Sequence, residues 1–555
     1  MPPVFSPAAR PATALALVLG LALGSGLPAM AHHSGDDHAS PTLSIGAFAQ
    51  ALVESAADPA GGISASGAEI AAFYRARDFA PLWTGPDDAE RRRAFLSALD
   101  RAAEHALPAA RYDIDGLTAA FHAVESERDR GALELRMTRT FLRFASDLHS
   151  GVLTPSSVDD TIKRVAPELD IPATLARLGA GDSPLGVLRD VMPVAPEYNR
   201  LLRARRQLQD QIAAGGWGPT VPAQSLRPGD TGPEVIALRN RLIAMGDMER
   251  SAAASYDAEL QAAVQRFQIR HGFPPDGVAG PATMRALNTA PEDRLRSIFV
   301  ALERERWLNI PRGERHIWVN LTDFSTRLVD RDQITFETPS IIGETRRELQ
   351  TYEFSELMTY MEINPDWTIP RGIIGRSYLA ALQANPYAHG HLQVIDGAGR
   401  VISRDSIDFS RYTARSLPFN LRQPPGPSNP LGKVKFMFPN PHAIYLHDTP
   451  QRNLFGHDTR AFSNGCIRLN DPEEFAYLLL ARQVDDPVEY FNRIHRSGQQ
   501  TRVYLDDPVP VHLVYRTAFT DSRGGLHFRP DVYGRDARVA EALARAGVAL
   551  AGPGS

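Results

Sequence analysis

From about residue 43 to 205, apolar side chains return every three or four positions, as in Phe95-Leu96-Leu99 and Leu133-Leu135-Met137-Phe141-Leu142-Phe144-Leu148. That spacing turns one face of an α-helix toward a core, so it predicts a mostly helical domain over 43–205. Leu107-Pro108 and the stretch 151–155 read as turns within it. Acids, histidines and nucleophiles do not recur there at a chemical spacing, and the domain reads as a scaffold. The run from Gly215 to Asp230 is dense in helix-breaking Gly and Pro and marks a linker. Beyond it, Val235, Leu238, Leu242 and Met245, then Leu260, Val264 and Phe267, then Met284 and Leu287 behind Pro281, predict three short amphipathic helices in a small unit over 222–290.

At His316 the period changes. Ile317, Val319 and Leu321 alternate with polar neighbours, as a half-buried strand does. Leu328-Val329 and residues 334–338, on either side of Asp330-Arg331-Asp332, predict a hairpin; 360–363, 434–438, 443–446 and 509–515 predict further strands. A β-rich domain is expected over 312–505, with a strand-and-helix extension over 506–555 whose helix lies in 536–551. Residues 371–425 break the alternation with helical and Pro-rich text, which predicts a capping segment inserted over the sheet. The fold class is therefore multidomain α+β: helical scaffold, three-helix module, and β-rich domain with an insertion.

Composition bounds the chemistry. The chain has 555 residues, 43% hydrophobic and 23% charged, a globular composition long enough for three or four domains. Its formal charge of -5 supplies no electrostatic reason to bind nucleic acid, and no such partner is expected. A single cysteine excludes a disulfide framework within the chain and any multi-cysteine metal site. Arg10, the apolar run Thr13–Leu23 and Pro28-Ala29-Met30-Ala31 read as a cleavable secretory signal over 1–31. The apolar run falls short of the ~20 residues that span hydrocarbon, so no transmembrane span is expected in the mature chain. His32, His33 and His38, with Asp36 and Asp37, then form a polar leader. In an oxidising compartment a lone thiol is either buried and inert or used.

Two segments carry candidate chemistry: Tyr445-Leu446-His447-Asp448 and Ser463-Asn464-Gly465-Cys466-Ile467-Arg468. His447 precedes Cys466 by 19 residues and ends a strand-like run, while Gly465 and Asn464 permit a tight turn before the thiol. An imidazole beside a thiol activates it for acyl transfer, and the N–H groups of Cys466 and Gly465 are candidates to face an oxyanion. Read from residues alone, a buried, inert cysteine and an unrelated histidine are the commoner arrangement. His447-Asp448 and His457-Asp458 lack a third ligand at recurring spacing, so no metal is expected.

The same text, His447 followed by Ser463-Asn464-Gly465-Cys466-Ile467-Arg468, resembles the signature of the L,D-transpeptidase (YkuD) family, in which a histidine precedes a Ser/Thr-x-Gly-Cys segment by about this interval. Residues 341–344 (Ile-Ile-Gly-Glu), 363–370 (Ile-Asn-Pro-Asp-Trp-Thr-Ile-Pro) and 429–436 (Asn-Pro-Leu-Gly-Lys-Val-Lys-Phe) match its flanking text. Residues 227–288 resemble the type 1 peptidoglycan-binding module, so the chain resembles the large periplasmic members over nearly its whole length. The resemblance implies that Cys466 attacks the carbonyl between the third residue and the terminal D-alanine of a donor stem tetrapeptide. His447 would move the protons, D-alanine would leave, and an acceptor stem amine would complete a 3→3 crosslink without a cofactor. It also implies periplasmic location and acylation by carbapenem-type β-lactams. Tyr445, Ser463, Asn464 and Arg468 are the expected substrate-binding residues, with Arg468 either a carboxylate clamp or an ion-pair partner. Asn464 stands where many members have a histidine, and it cannot titrate. Water as the attacking group would give an L,D-carboxypeptidase or endopeptidase, a lipoprotein lysine would give lipoprotein attachment, and an idle Cys466–His447 pair would leave a wall-binding scaffold.

Overall fold

The computed structural model describes residues 46–56 and 66–550; the signal expected over 1–31 and the polar leader behind it lie outside the described residues. Helices α1 (Ala47–Ala56), α2 (Ser66–Ala76), α3 (Ala89–Asp100), α4 (Ile114–His122), α5 (Glu127–Ser150), α6 (Pro155–Val158), α7 (Ile171–Gly179), α8 (Pro184–Val191) and α9 (Pro196–Ala213) form the scaffold. Its spine is α5. Ser126 caps the helix by accepting the Asp129 N–H, the Asp129 carboxylate accepts the Ser126 N–H in return, and Gly151 ends it. Leu133, Met137, Phe141 and Phe144 on α5 are buried with Trp83, Phe95 and Leu99 in one core.

The module has the three expected helices, α10 (Pro233–Met245), α11 (Ala258–His271) and α12 (Pro281–Leu287), around Val235, Leu238, Leu242, Val264, Phe267 and Leu287. Buried Arg241 ties the linker to this unit through the carbonyls of Gly218 (2.9 Å), Leu287 (2.6 Å) and Thr289 (3.1 Å).

A helix that the sequence reading did not contain follows: α13 (Pro291–Trp307). Its end, Glu303-Arg304-Glu305-Arg306, is a run of four charges, yet none of the four is more than 4% exposed. Every charge there has a partner, as burial requires. Glu303 pairs with Arg306 (2.9 Å), Arg304 with Glu353 (2.6 Å) and Asp536 (2.9 Å), and Glu305 with Arg312 (2.8 Å) and Arg516 (2.9 Å).

The large sheet collects β1 (Arg315–Asn320), β2 (Ser325–Asp330), β3 (Gln333–Gly343) and β4 (Phe354–Ile363) with strands from further along the chain. The insertion begins at β5 (Trp367–Thr368), continues through α14 (Arg371–Ile373), a π-turn and α15 (Leu379–Ala384), and adds β6 (Gln393–Ile395) and β7 (Asn420–Gln423). It was expected as helical and Pro-rich text, but it also holds a three-stranded sheet in the order β5-β7-β6. Strands of two to four residues are too short to show alternation. The insertion has its own core around Trp367, Ile374, Leu382, Val394 and Leu421. Then come β8 (Val434–Met437), β9 (Leu446–His447), β10 (Ala461–Ser463), β11 (Ile467–Leu469), α16 (Pro472–Leu480), α17 (Pro487–Arg496) and β12 (Thr501–Val514). The nine-stranded order is β10-β3-β11-β9-β8-β4-β12-β1-β2, and a further β2–β3 pairing closes the sheet on itself.

Strand β12 runs through position 505, where the sequence reading places a boundary. Its second half carries the parallel pairing to β1 and half of the antiparallel pairing to β4. A hairpin of β13 (Ala518–Thr520) and β14 (Leu526–Phe528) and then α18 (Arg535–Arg545) finish the described chain. Among the described residues no helix is long and apolar enough to cross a membrane.

Candidate active site

Short strands β9 and β11 lie side by side in parallel, with Ile467 beside Leu446 and Arg468 beside His447. The Ile467 N–H reaches the Tyr445 carbonyl (3.1 Å), which sets Cys466 beside Tyr445. Alternation then decides which side chains meet. Leu446 and Ile467 turn into the core, while Tyr445, His447, Cys466 and Arg468 share the opposite face. With strands ~4.8 Å apart and a rise of ~3.3 Å per residue, Cys466 and His447 are diagonal neighbours about 8 Å apart at Cα. The sequence-predicted pair is therefore brought onto one surface.

The same register adds residues that the sequence reading missed. Lys435 on β8 lies beside His447, Glu362 on β4 beside Lys435, and Arg502 on β12 beside Glu362. Glu362 accepts from Lys435 (3.2 Å) and Arg502 (2.9 Å), and the Lys435 ammonium lies 4.7 Å from the Tyr445 ring centroid.

His447 is buried, and its Nδ1 lies 2.5 Å from the Asp448 carbonyl oxygen. That contact places the proton on Nδ1 and leaves Nε2 as the basic nitrogen. Burial, then the Arg468 and Lys435 charges, push the imidazole down to about 3, so it is neutral at neutral pH. Asp448 is itself fixed: its carboxylate accepts from the Lys433 (2.7 Å) and Thr449 (2.6 Å) N–H groups and from Arg452 (2.7 Å). Gly432, at φ +61, lies where a Cβ would collide with that carboxylate.

Cys466 is half-buried, and its thiol donates to the Ala443 carbonyl (3.6 Å). Burial pushes the thiol up, while hydrogen bonding from Tyr445 and the charges of Lys435 and Arg468 favour the thiolate. The Tyr445 ring packs on the cores of both sheet and insertion.

The turn before the thiol is built by Ser463 and Gly465. Gly465 has φ +118, and Ser463 Oγ donates to the Cys466 carbonyl (2.5 Å) while accepting the Gly465 N–H (3.0 Å). Two expectations change. Ser463 is buried with its hydroxyl used inside the turn, not offered to substrate, and the Gly465 N–H is committed to Ser463, not free for an oxyanion. Asn464 is exposed at the tip of the turn. Arg468 is half-buried; Nη1 donates to the Gln451 side chain (2.6 Å), and Nε is buried without a partner. It forms no ion pair within this site, which leaves a guanidinium edge for an anion. Among the described residues no group of three or more His, Cys, Asp or Glu is placed to hold a metal.

A profile described as the L,D-transpeptidase catalytic domain, YkuD, matches residues 314–505. Residues 314–505 are thus similar to the catalytic domain of the YkuD L,D-transpeptidases. A scaffold-domain profile matches 68–204 and a peptidoglycan-binding-domain profile matches 231–287. A Haemophilus influenzae protein named "Putative L,D-transpeptidase" is 31% identical over 242 residues, 43% of this chain and 48% of its own length. The chain thus spans about half the length of the curated relative it matches. The L,D-transpeptidase structure from Xylanimonas cellulosilytica aligns at 16% identity over 54% of this chain and 100% of its own, with a TM-score of 0.15. That from Stackebrandtia nassauensis aligns at 15% identity over 54% and 97%, with a TM-score of 0.20. At these scores neither likeness adds to the assignment.

Proposed function

We propose that this chain is a periplasmic peptidoglycan L,D-transpeptidase that joins stem peptides 3→3 through a thioester on Cys466. The reading rests on the single sheet face that carries Cys466, Tyr445, His447 and Arg468. The thiol turns from the Ala443 carbonyl and gives its proton to His447 Nε2 as sulfur attacks the carbonyl between the third stem residue and D-alanine. Charge develops on the carbonyl oxygen, toward which the Cys466 N–H would donate, and Lys435 and Arg468 make the surroundings cationic. The C–N bond breaks, the His447 proton passes to the departing D-alanine amine, and the acyl group stays on sulfur. A neutral acceptor amine then attacks the thioester, His447 takes its proton, and the thiolate leaves and is reprotonated.

Muropeptide monomers test this. Wild type is expected to release D-alanine and form residue-3-to-residue-3 dimers, and Cys466→Ala to do neither. Trimmed monomers without dimers would assign a carboxypeptidase instead, and dimers from Cys466→Ala would contradict the thioester.

A further inference from the structure

The chain between α6 and α7, inside the residues matched by the scaffold profile, runs beside the start of β4. The Lys163 N–H donates to the Glu353 carbonyl (2.9 Å) and the Glu353 N–H to the Thr161 carbonyl (3.1 Å), so Ile162 pairs with Glu353 in parallel. Arg164 fastens the next step by donating to Ser355 Oγ (2.8 Å) and to the Leu513 carbonyl (3.0 Å). Scaffold residues 161–164 thus grip the chain at the entry to the catalytic sheet.

Residues 351–354 in turn bear on both turns that bracket the thiol. Thr351 Oγ1 donates to the Gly465 carbonyl (2.8 Å) and accepts the Gly343 N–H (2.9 Å). The Tyr352 and Phe354 rings meet the His442 ring edge to face, at centroid distances of 5.2 and 5.3 Å. The next residue, Ala443, offers the carbonyl that takes the Cys466 thiol (3.6 Å). Ala443 has φ +54, a conformation that a residue with a Cβ keeps only where its surroundings impose it. Asn440 imposes part of it by donating to the Ile444 carbonyl (2.7 Å) and accepting the His442 N–H (3.0 Å), and the ring contacts at His442 add to it. Lys163 completes the stack, its ammonium 5.3 Å from the Tyr352 ring centroid.

Strands β9 and β11, with two and three residues, are too short to fix these turns to the fraction of an ångström that acyl transfer needs. We propose that scaffold residues 161–164 are positioning residues for the cysteine chemistry: through residues 351–354 they set the two turns on either side of Cys466. The proposal rests on the reading of Cys466 as the nucleophile and gives the scaffold a share in the reaction without contact to substrate.

Hydrogen exchange of the full chain, read by mass spectrometry, tests the coupling, and carbapenem acylation read by intact mass tests its effect. Peptides covering 440–446 and 463–467 are expected to exchange about threefold faster in Lys163→Ala and Tyr352→Leu, as loss of a cation or ring contact predicts. Lys163→Arg and Tyr352→Phe are expected to match wild type, and α5 to exchange alike in all. The acylation rate at saturation is expected to fall about threefold in Lys163→Ala and about tenfold in Tyr352→Leu, with the half-saturating concentration unchanged. Unchanged exchange at both turns, a rise that extends equally to α5, or Lys163→Arg behaving as Lys163→Ala overturns the proposal. If wild type takes no carbapenem, the catalytic reading falls, and exchange at the two turns still decides whether the scaffold sets them.

Discussion

His447 and Cys466 are both uncharged at neutral pH in this fold, because burial weighs against imidazolium and thiolate alike. The carbapenem acylation rate should therefore show no inflection near 6.5, the ordinary histidine value, and should climb on the alkaline side as the raised thiol begins to ionise. A limb centred near 6.5 would contradict this. Stability follows the same groups. His447 and His512 are held down to about 3 and His105 to about 4, so between those values and 6.5 the unfolded chain binds more protons than the fold. Stability is expected to be complete above 6.5 and to fall with pH below it. Thermal midpoints measured from pH 7 to 4 should drop, and a midpoint that holds or rises would count against buried neutral histidines. At this scale the text around Cys466, residues 463–468, is contiguous, and one strand pairing sets His447 on the same face. Lys435, Glu362 and Arg502 were not legible, since only the register of four strands brings them onto the same face. Ser463 misled for a related reason: a hydroxyl beside a glycine at positive φ is also what a tight turn uses.

Elements were legible in proportion to their length. The β2–β3 hairpin and α5 carry enough repeats to declare their period, whereas β9, β10 and β11 have two or three residues each and are fixed by their neighbours. Helix α13 was hidden by its charges, whose partners Glu353, Arg516 and Asp536 lie far along the chain. Glu353 is the clearest case, since it accepts from both Arg304 (2.6 Å) and Arg535 (2.9 Å), all three buried. Glu353→Ala leaves the Arg535 guanidinium without its carboxylate and Arg304 with Asp536 alone, and is expected to cost about 3–5 kcal/mol, read as a shifted denaturation midpoint; an unchanged midpoint would show that solvent already reaches them. Gly432→Ala is expected to cost about 1–3 kcal/mol through strain at positive φ and to slow acylation by displacing Asp448, on whose carbonyl His447 rests. Wild-type acylation in that variant would separate the Asp448 seat from the histidine. Asn429, from the recognisable flanking text, bonds the carbonyls of Pro365, Gln423 and Pro424 and so fastens both ends of the insertion.

For the molecule as a whole, the fold class was legible as a helical scaffold, a small helical module and a β-rich domain. The family profile ends at 505, but the catalytic sheet depends on β12 as far as Val514, and α13 and α18 clamp that sheet through Arg304 and Asp536. A fragment of 312–505 is expected to be unfolded by circular dichroism, and one of 291–550 to melt cooperatively; a cooperative melt of the shorter piece would refute the dependence. The central claim is that Cys466 becomes an acyl carrier with His447 as its base. Intact mass after carbapenem treatment tests it most directly. The account predicts one adduct on wild type, none on Cys466→Ala, and strongly slowed formation on His447→Ala. An adduct of equal rate on His447→Ala, or any adduct on Cys466→Ala, would contradict it.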